Sequence, residues 1–303
     1  MERVTIRPKL RNIEVFPVEH EGQRLVCFRD PLALAEEVIF LPLPLLRIVR
    51  YFDGKKRLDE IQKLLSEEEA HEEVSLDFLS KFTEELDRFH FLESPRFEQH
   101  RRQIFSDYAA RSTRPPFLSG KSYPADPVEL TRMLEAYFLH EAGPKWPRKP
   151  RNRRIEGIIA PHIDFQRGGF CYAWAYREMI ESLDPDLFVV LGTIHTGTSA
   201  PFTASRKGFE TPFGTLEVDH PFLERLEAAY GHDLYAEEIA HRAEHSIEFQ
   251  AVFLESIYNN PHSRFGKQPR PITFVPILCS ILHEEIEAGR VPRLDAQVER
   301  FFQ

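Results

Sequence analysis

The stretch IEGIIAPHIDFQRGGFCYAWAYREMIESLDPDLFVVLGTIHTG, residues 155–197, decides the fold of the larger part of this chain. Ile155–Ala160 and Leu187–Leu191 are short apolar runs of the kind that predicts buried strands in a parallel sheet. Between them, Phe170–Leu183 has the residue types and spacing of a helix. The stretch therefore predicts a strand–helix–strand unit within an α/β fold, in which helices flank a mostly parallel sheet.

A histidine follows each predicted strand of this unit. His162 comes directly after the first strand, and His195 comes after the second. Parallel strands joined by a helix end at the same edge of the sheet, where open α/β folds bind their ligands. Neutral imidazoles at that edge suit a divalent transition metal, and they equally suit the positioning of a water molecule or an oxyanion. The sequence leaves both roles open.

Further site candidates lie nearby in the pattern. Asp164 stands two residues after His162 and is expected to complete the site or to orient an imidazole. Glu244 and His245 precede a predicted helix and offer another carboxylate and another nitrogen. Two histidines with one carboxylate form the arrangement found in non-haem iron sites. Cys279, after the third β-type run (272–278), fits a small buried residue better than a metal ligand.

Several classes of protein are excluded by what the chain lacks. It contains no GxGxxG, GxxxxGK[ST], HExxH or GxSxG motif, so we expect no nucleotide cofactor and no nucleophile elbow. The net charge of −9 argues against a nucleic-acid binder. The N-terminus has no signal-peptide core, and the longest apolar run is interrupted by Pro42 and Pro44. Three dispersed cysteines complete the expectation of a cytoplasmic protein with no membrane segment.

Residues 1–95 predict a small α+β domain of winged-helix type, a hairpin followed by short helices, and residues 96–117 predict a connector. The first hundred residues carry 15 basic and 21 acidic side chains, a balance of −6, whereas a DNA-reading winged helix needs a positive face. The pattern V…FRDP…YFDGKKRLDEI…FLSKFTEELDRFHFLES resembles the PqqD-like family, whose members bind leader peptides for radical enzymes. The resemblance implies a peptide or protein partner; a structural appendage without a partner is the alternative.

Six motifs in residues 118–303 resemble one further family. KSYPADPVEL, IIAPHIDFQRGGFCYAWAY, VVLGTIHTG, FETPFGTLEVD, EHSIEFQAVFL and ITFVPIL are similar in order and spacing to the Memo family, whose bacterial members are often called AmmeMemoRadiSam system protein B. The resemblance implies a fold like that of class III extradiol dioxygenases and association with a radical SAM protein. It implies that His162 and His195 are ligand-type residues and that His245 lines the site.

The sequence departs from the family pattern in two places. The family usually has PHAGY where this chain has Pro161-His162-Ile163-Asp164-Phe165, which adds a carboxylate and removes a phenol. Family members also continue beyond the VPIL strand to a further strand and an SSD stretch that supplies another site residue. We therefore expect the sequence to be C-terminally truncated, as a fragment or as a shortened copy.

Two functional hypotheses follow. In the first, His162, His195 and His245 bind iron or copper for non-haem oxidoreductase chemistry, with His245, Asp164 and Glu244 in catalytic roles. In the second, the crevice is vestigial and the protein is a non-catalytic adaptor that binds a peptide or protein.

Overall fold

The computed structural model describes residues 6–20, 22–35, 37–68, 74–148, 155–182, 185–196, 198–265, 270–280, 289 and 296–303. These residues form two compact units, 1–109 and 110–303. The sequence placed the end of the first domain at residue 95 and a connector after it. In the structure the helix that begins at Pro95 runs to Ala110, across the border between the units.

The N-terminal unit is an α+β structure. An antiparallel sheet has the order β1–β2–β3, with the bounds β1 Glu14–His20, β2 Gln23–Arg29 and β3 Ile39–Pro42. A 3-10 turn at Leu43–Leu45 leads into the helices, which are α1 Leu46–Val49, α2 Leu58–Ser66, α3 Leu76–Arg88 and α4 Pro95–Ala110. The predicted hairpin forms, with His20 and Gln23 paired next to its turn.

Side chains alternate between the two faces of this sheet along β2, and Val26, Cys27 and Phe28 are all buried. Val26 and Phe28 belong to the core that the sheet shares with the helices. Cys27 points to the opposite face, where it pairs with Phe16 of β1 and Phe40 of β3. Both phenylalanines are exposed, at 37% and 52%.

The second unit contains a mixed sheet in which most pairings are parallel. Its order is β4–β7–β8–β9–β5, and β6 pairs with the end of β9. The strands are β4 Thr113–Arg114, β5 Leu187–Thr193, β6 Phe202–Ala204, β7 Gly208–Thr211, β8 Gly214–Val218 and β9 Thr273–Cys279. The pairs β4–β7, β8–β9 and β5–β9 are parallel, whereas β7–β8 and β6–β9 are antiparallel.

Helices flank this sheet. They are α5 Pro127–Leu139, α6 Phe165–Ile180, α7 His220–Tyr230 and α8 Glu248–Tyr258, with a 3-10 turn at Glu238–Arg242 and a last helix at Ala296–Phe302. The carboxylate of Asp126 accepts the backbone N–H groups of Val128 and Glu129, so the predicted N-cap of α5 is present. Together with the sheet, these elements confirm the predicted α/β class.

The central strand β9 contains a proline, which a sheet interior rarely accepts because proline has no N–H to donate. β5 pairs with β9 along one side over its whole length. On the other side β9 pairs with β8 at Thr273 and Phe274, and with β6 from Ile277 onward. Pro276 therefore lies where the neighbouring strand changes, and its missing N–H interrupts no ladder there.

The core of the second unit lies between the sheet and the helices α6 and α8. Aromatic rings from the two helices interleave: Phe165 lies 4.7 Å from Phe249, and Tyr176 stacks 4.7 Å from Phe253, measured between ring centroids. α8 is buried nearly all round, since only Gln250 among its residues is not fully buried. This packing holds the start of α8 and the start of α6 close together.

The prediction of a strand at Ile155–Ala160 is wrong. These residues have no strand pairing in the structure, although the segment lies alongside β5. A groove separates the two, so the backbone groups of the segment have no neighbouring strand within reach. The predicted strand–helix–strand unit is therefore reduced to α6 and β5, preceded by an unpaired segment.

No helix in the described part of the chain is both long enough and apolar enough to cross a membrane.

Candidate metal centre

His195 reaches the site from the carboxyl end of β5. The backbone N–H of Ile194 donates to the carbonyl of Cys279 at 3.1 Å, which ties the end of β5 to the end of β9. The backbone N–H of His195 then donates to Glu244 at 2.9 Å, and its ring Nδ1 lies 3.0 Å from the same carboxylate. His195 is thus held through both its backbone and its ring.

Glu244 is the anchor of the site. Its side chain is only 4% exposed. It accepts the backbone N–H groups of His195, His245 and Ser246 in addition to the His195 ring. Burial alone would raise the pKa of Glu244, but these hydrogen bonds bring it below its usual value, so the carboxylate is charged. A carboxylate has about four lone-pair positions, and this one is saturated by its neighbours.

His245 comes immediately before α8. Its carbonyl accepts the backbone N–H of Phe249, which fixes it to the first turn of that helix. Its Nδ1 lies 3.3 Å from Glu244, so the Nδ1 atoms of His195 and His245 both face one carboxylate. Burial is the main cause that lowers the pKa of His245, which favours the neutral imidazole that metals require.

His162 is brought to the same place by the turn before α6. Gln250 of α8 donates to the carbonyl of Pro161 at 2.9 Å, and the hydroxyl of Tyr172 donates to the carbonyl of Ile163 at 3.1 Å. The ring of His162 lies 5.1 Å from that of His195 and 6.1 Å from that of His245, and the latter two rings are 4.5 Å apart. All three histidines named from the sequence therefore converge, even without the predicted first strand.

Asp164 has a different place from the one expected. It is the N-cap of α6, where Oδ1 accepts the backbone N–H of Arg167 and Oδ2 accepts the Nε–H of the same residue. The Arg167 side chain lowers the pKa of Asp164. The carboxylate is therefore occupied at the start of the helix, and it is Glu244 that contacts imidazoles.

The donor set fits a divalent transition metal. Among the described residues, His195, Glu244 and His245 each have a donor atom within 4.8 Å of those of the other two. Glu244 lies on the Nδ1 side of the two rings, so Nε2 is the ring nitrogen on the side away from this carboxylate. Zinc, iron and copper all accept imidazole nitrogen, at about 2.0–2.1 Å in zinc sites.

Cys279 is partly buried at the end of β9. Burial raises the pKa of its thiol to about 11, which favours the protonated sulfur in the protein without metal.

A groove of about 1080 Å³ runs from the site along the outer side of β5. Its walls are the segment Ile155–Ala160 and the strand residues Leu187–Thr193, and His162 and Ser246 lie along it. The lining is mainly apolar, and Ile159 at its rim is 98% exposed. The groove gives His162 an approach from solvent.

Two further residues place the site, and neither was predicted from the sequence. Gln250 lies one helical turn after Ser246, a spacing that could have indicated a side chain directed back to the site. Arg114 lies in the predicted connector, and no local pattern marks it as buried, yet it is 0% exposed beneath the loop that carries Glu244.

The sequence profile of a family described as "Memo-like protein" matches residues 114–291. A MEMO1 family protein of Methanopyrus kandleri is 37% identical over 177 residues, which are 56% of this chain and 57% of that protein. A MEMO1 family protein of Aquifex aeolicus is 28% identical over 253 residues, 84% of this chain and 64% of that protein. A third, from Methanothermobacter thermautotrophicus, is 36% identical over 149 residues.

His162, His195, Glu244 and His245 all lie inside the range that the family profile matches. The chain spans between about half and two-thirds of the length of these relatives, at 57%, 64% and 53%.

Proposed function

Because this chain belongs to the Memo-like protein family, with a profile match over residues 114–291, we propose that its histidine cluster binds a divalent transition metal, iron or copper. One observation carries the proposal. Three imidazole rings lie within 6.1 Å of one another, and a buried carboxylate faces the Nδ1 atoms of two of them. The ligands are His162, His195 and His245.

Glu244 has the role of orienting carboxylate in this proposal. A metal-binding histidine commonly donates its second ring N–H to a carboxylate, which fixes the tautomer and the ring angle. Glu244 lies 3.0 Å from Nδ1 of His195 and 3.3 Å from Nδ1 of His245. In this proposal each ring carries its proton on Nδ1, beside the carboxylate, and coordinates the metal through Nε2. It also remains charged, because its backbone donors lower its pKa.

The chemistry we propose is metal-dependent oxidation or reduction of a ligand that enters along the groove. Iron or copper, when bound, supplies redox chemistry and coordination positions open to substrate. The residues of this chain contribute three imidazoles, a buried carboxylate and a groove that His162 lines. Burial favours the neutral form of the His245 imidazole by lowering its pKa. We include in this proposal the dioxygenase-like fold and site that the family resemblance implies.

Metal binding is tested by titrating the purified protein with Fe(II) and with Cu(II) without oxygen, and by measuring bound metal. We expect stoichiometric binding by the wild type and its loss in His195→Ala and in His245→Ala. Glu244→Gln should weaken binding by about 10–100-fold, since it removes only the orienting charge. His262→Ala, an exposed histidine outside the cluster, is the matched control. Unchanged binding in both alanine variants of the cluster would refute the site.

We also propose a second activity, recognition of a peptide by the N-terminal unit. The face of its sheet that carries Cys27 has the exposed Phe16 and Phe40 on either side of this buried cysteine, and exposed aromatic side chains are common in recognition surfaces. A peptide or a radical SAM protein is the partner that the PqqD-like resemblance and the family association suggest. This binding would also serve the alternative function, that of an adaptor with a vestigial crevice.

Peptide recognition is tested by selecting a displayed peptide library on the full chain. Selected peptides should lose affinity for Phe40→Glu and retain it for Phe105→Glu, which changes a phenylalanine of similar exposure on α4. Equal loss in both variants, or no selectable peptide, would count against the proposal.

A further inference from the structure

We propose that Arg114 is a positioning residue for the metal centre: from beneath the site, it holds the loop that carries Glu244 and His245. The consequence for metal binding rests on the proposed function above. The contacts by which Arg114 holds this loop belong to the protein without metal and do not depend on metal binding.

The contacts of Arg114 span the loop. Its Nε donates to the carbonyl of His241 at 2.7 Å, and its Nη2 donates to the carbonyl of Glu244 at 2.9 Å. Nη2 also forms an ion pair with Glu248, the first residue of α8, at 2.7 Å. One guanidinium therefore holds the start, the middle and the end of residues 241–248.

Glu248 completes a buried network beneath the site. Its side chain is 1% exposed and that of Arg114 is 0% exposed. Its two oxygens accept the backbone N–H groups of Phe117 and Leu118 and the hydroxyl of Tyr123, at 2.6–3.1 Å. The segment 114–123 is thereby fixed to the same pair of charges as the loop.

This network acts on the metal centre through the backbone of Glu244. The Glu244 carbonyl accepts from Arg114, while the Glu244 carboxylate accepts from the backbone and the ring of His195. A shift of the loop would therefore move the carboxylate that sets the tautomer of His195. Among the described residues, Arg114 and Glu248 form no hydrogen bond to the rings of His162 and His195, whereas Glu244 contacts the His195 ring.

A guanidinium suits this task better than any other side chain. It is planar and presents several N–H donors in fixed directions, so that it can hold three acceptors on different segments. Lysine keeps the charge but has a single flexible ammonium group. A buried ion pair is also a weak source of stability, because the loss of hydration offsets its attraction. The directional hydrogen bonds are thus the distinctive property of Arg114.

The test compares Arg114→Lys with a variant that is destabilised elsewhere. Ile180→Ala leaves a cavity in the core at the far end of α6, and the helical rise places that residue about 22 Å from the start of α6. The first measurement is made without metal, by recording the 15N and 1H signals of the His195 ring. The second is the dissociation constant for Cu(II).

In the wild type we expect a His195 ring that carries its proton on Nδ1. Arg114→Lys should mix the tautomers and weaken Cu(II) binding at least tenfold, whereas Ile180→Ala should lower the melting temperature and change neither property. The double variant Arg114→Met/Glu248→Met replaces the buried ion pair with an apolar pair. It should fold and still show the mixed tautomers.

The inference is overturned when Arg114→Lys leaves the ring signals unchanged, or when Ile180→Ala alters them equally. The proposed function fails separately, when the wild type binds no Cu(II) or Fe(II). In that case a tautomer change confined to the Arg114 variants would still support the positioning role.

Discussion

At the scale of single residues, Gly192 sets how closely the end of β5 approaches the loop before α8. A Cβ atom at this position would lie 2.4 Å from the Ile247 side chain and 2.7 Å from the Ser246 hydroxyl. The absence of a side chain therefore lets the strand that leads to His195 pack against the loop that carries Glu244.

Gly192→Ala should destabilise the protein by about 1–3 kcal/mol, because an added methyl overpacks a close contact. It should also weaken metal binding, since Ser246 donates its backbone N–H to Glu244. Gly157→Ala is the control, because a Cβ there meets open space. Chemical denaturation and metal titration of both variants check this. Equal effects of the two substitutions would show that the contact at Gly192 does not matter.

The burial of Glu255 predicts that the stability of the protein depends on pH. It lies in α8 at 0% exposure; its Oε1 accepts from Asn259, and its Oε2 has no hydrogen-bond partner among the described residues. Burial raises the pKa of this carboxyl from 4.5 to about 7. Between these pH values the folded protein holds a proton that the unfolded chain has released.

The free energy of unfolding should therefore fall as the pH rises from about 4.5 to about 7, by up to roughly 3 kcal/mol for this group. Below pH 4.5 both states are protonated, and this contribution is fully present. Glu255→Gln keeps the shape without the charge, so it should be more stable than the wild type above pH 7 and remove this part of the pH dependence. Denaturation at several pH values checks the difference, with the exposed Glu224→Gln as control. Parallel pH curves for wild type and Glu255→Gln would contradict it.

At the scale of elements, β5 is more apolar than its position at the edge of the sheet would predict. Its residues are apolar on both faces, as in a strand covered on both sides, yet it ends the sheet in the described structure. Val189 and Leu191 are each 50% exposed. An apolar edge with no charge and no proline favours pairing with other chains.

Val189→Lys should reduce self-association, because a charge on an edge strand opposes pairing with another edge. Light scattering over a range of protein concentrations should show a lower apparent mass for this variant than for the wild type. Leu139→Lys, at the end of α5 with a similar exposure of 52%, should change little. If both lysine variants reduce association alike, general charge rather than the edge of β5 is responsible.

At the scale of the whole molecule, the described structure has two hydrophobic cores. One lies in the N-terminal unit and contains Leu58, Leu86 and Phe91, and the other surrounds α6, α8 and β9. A buried ion pair between Arg11 and Asp30, with side chains 6% and 0% exposed, belongs to the first. A unit with its own core is expected to fold by itself.

Residues 1–111 expressed alone should therefore unfold in one cooperative thermal transition, followed by circular dichroism. Phe91→Ala should abolish or strongly lower this transition, since removal of a buried phenylalanine costs about 3–5 kcal/mol. Phe78→Ala, at an exposed phenylalanine, should have a small effect. A fragment without a cooperative transition would show that the N-terminal unit depends on the rest of the chain.

The sequence by itself determined the α/β class, the family and the identity of three converging histidines. Apolar runs at Leu187–Leu191 and 272–278 are properties of a few adjacent residues, and so are the histidines that follow a strand or precede a helix. The Asp126 N-cap is equally local. Such features are predictable because their physical causes lie within one turn or one strand.

Only the tertiary structure decided which carboxylate contacts the imidazoles and whether the first apolar run pairs. Asp164 is closer in sequence to His162, but its oxygens are taken by Arg167 at the start of α6, whereas Glu244 reaches His195 across 49 residues. Ile155–Ala160 has a strand-like sequence, yet a strand also needs a neighbour at hydrogen-bonding distance. The role of Arg114 could not be predicted for the same reason, because its acceptors lie about 130 residues away. Contacts of this range depend on how the elements pack, which no local pattern records.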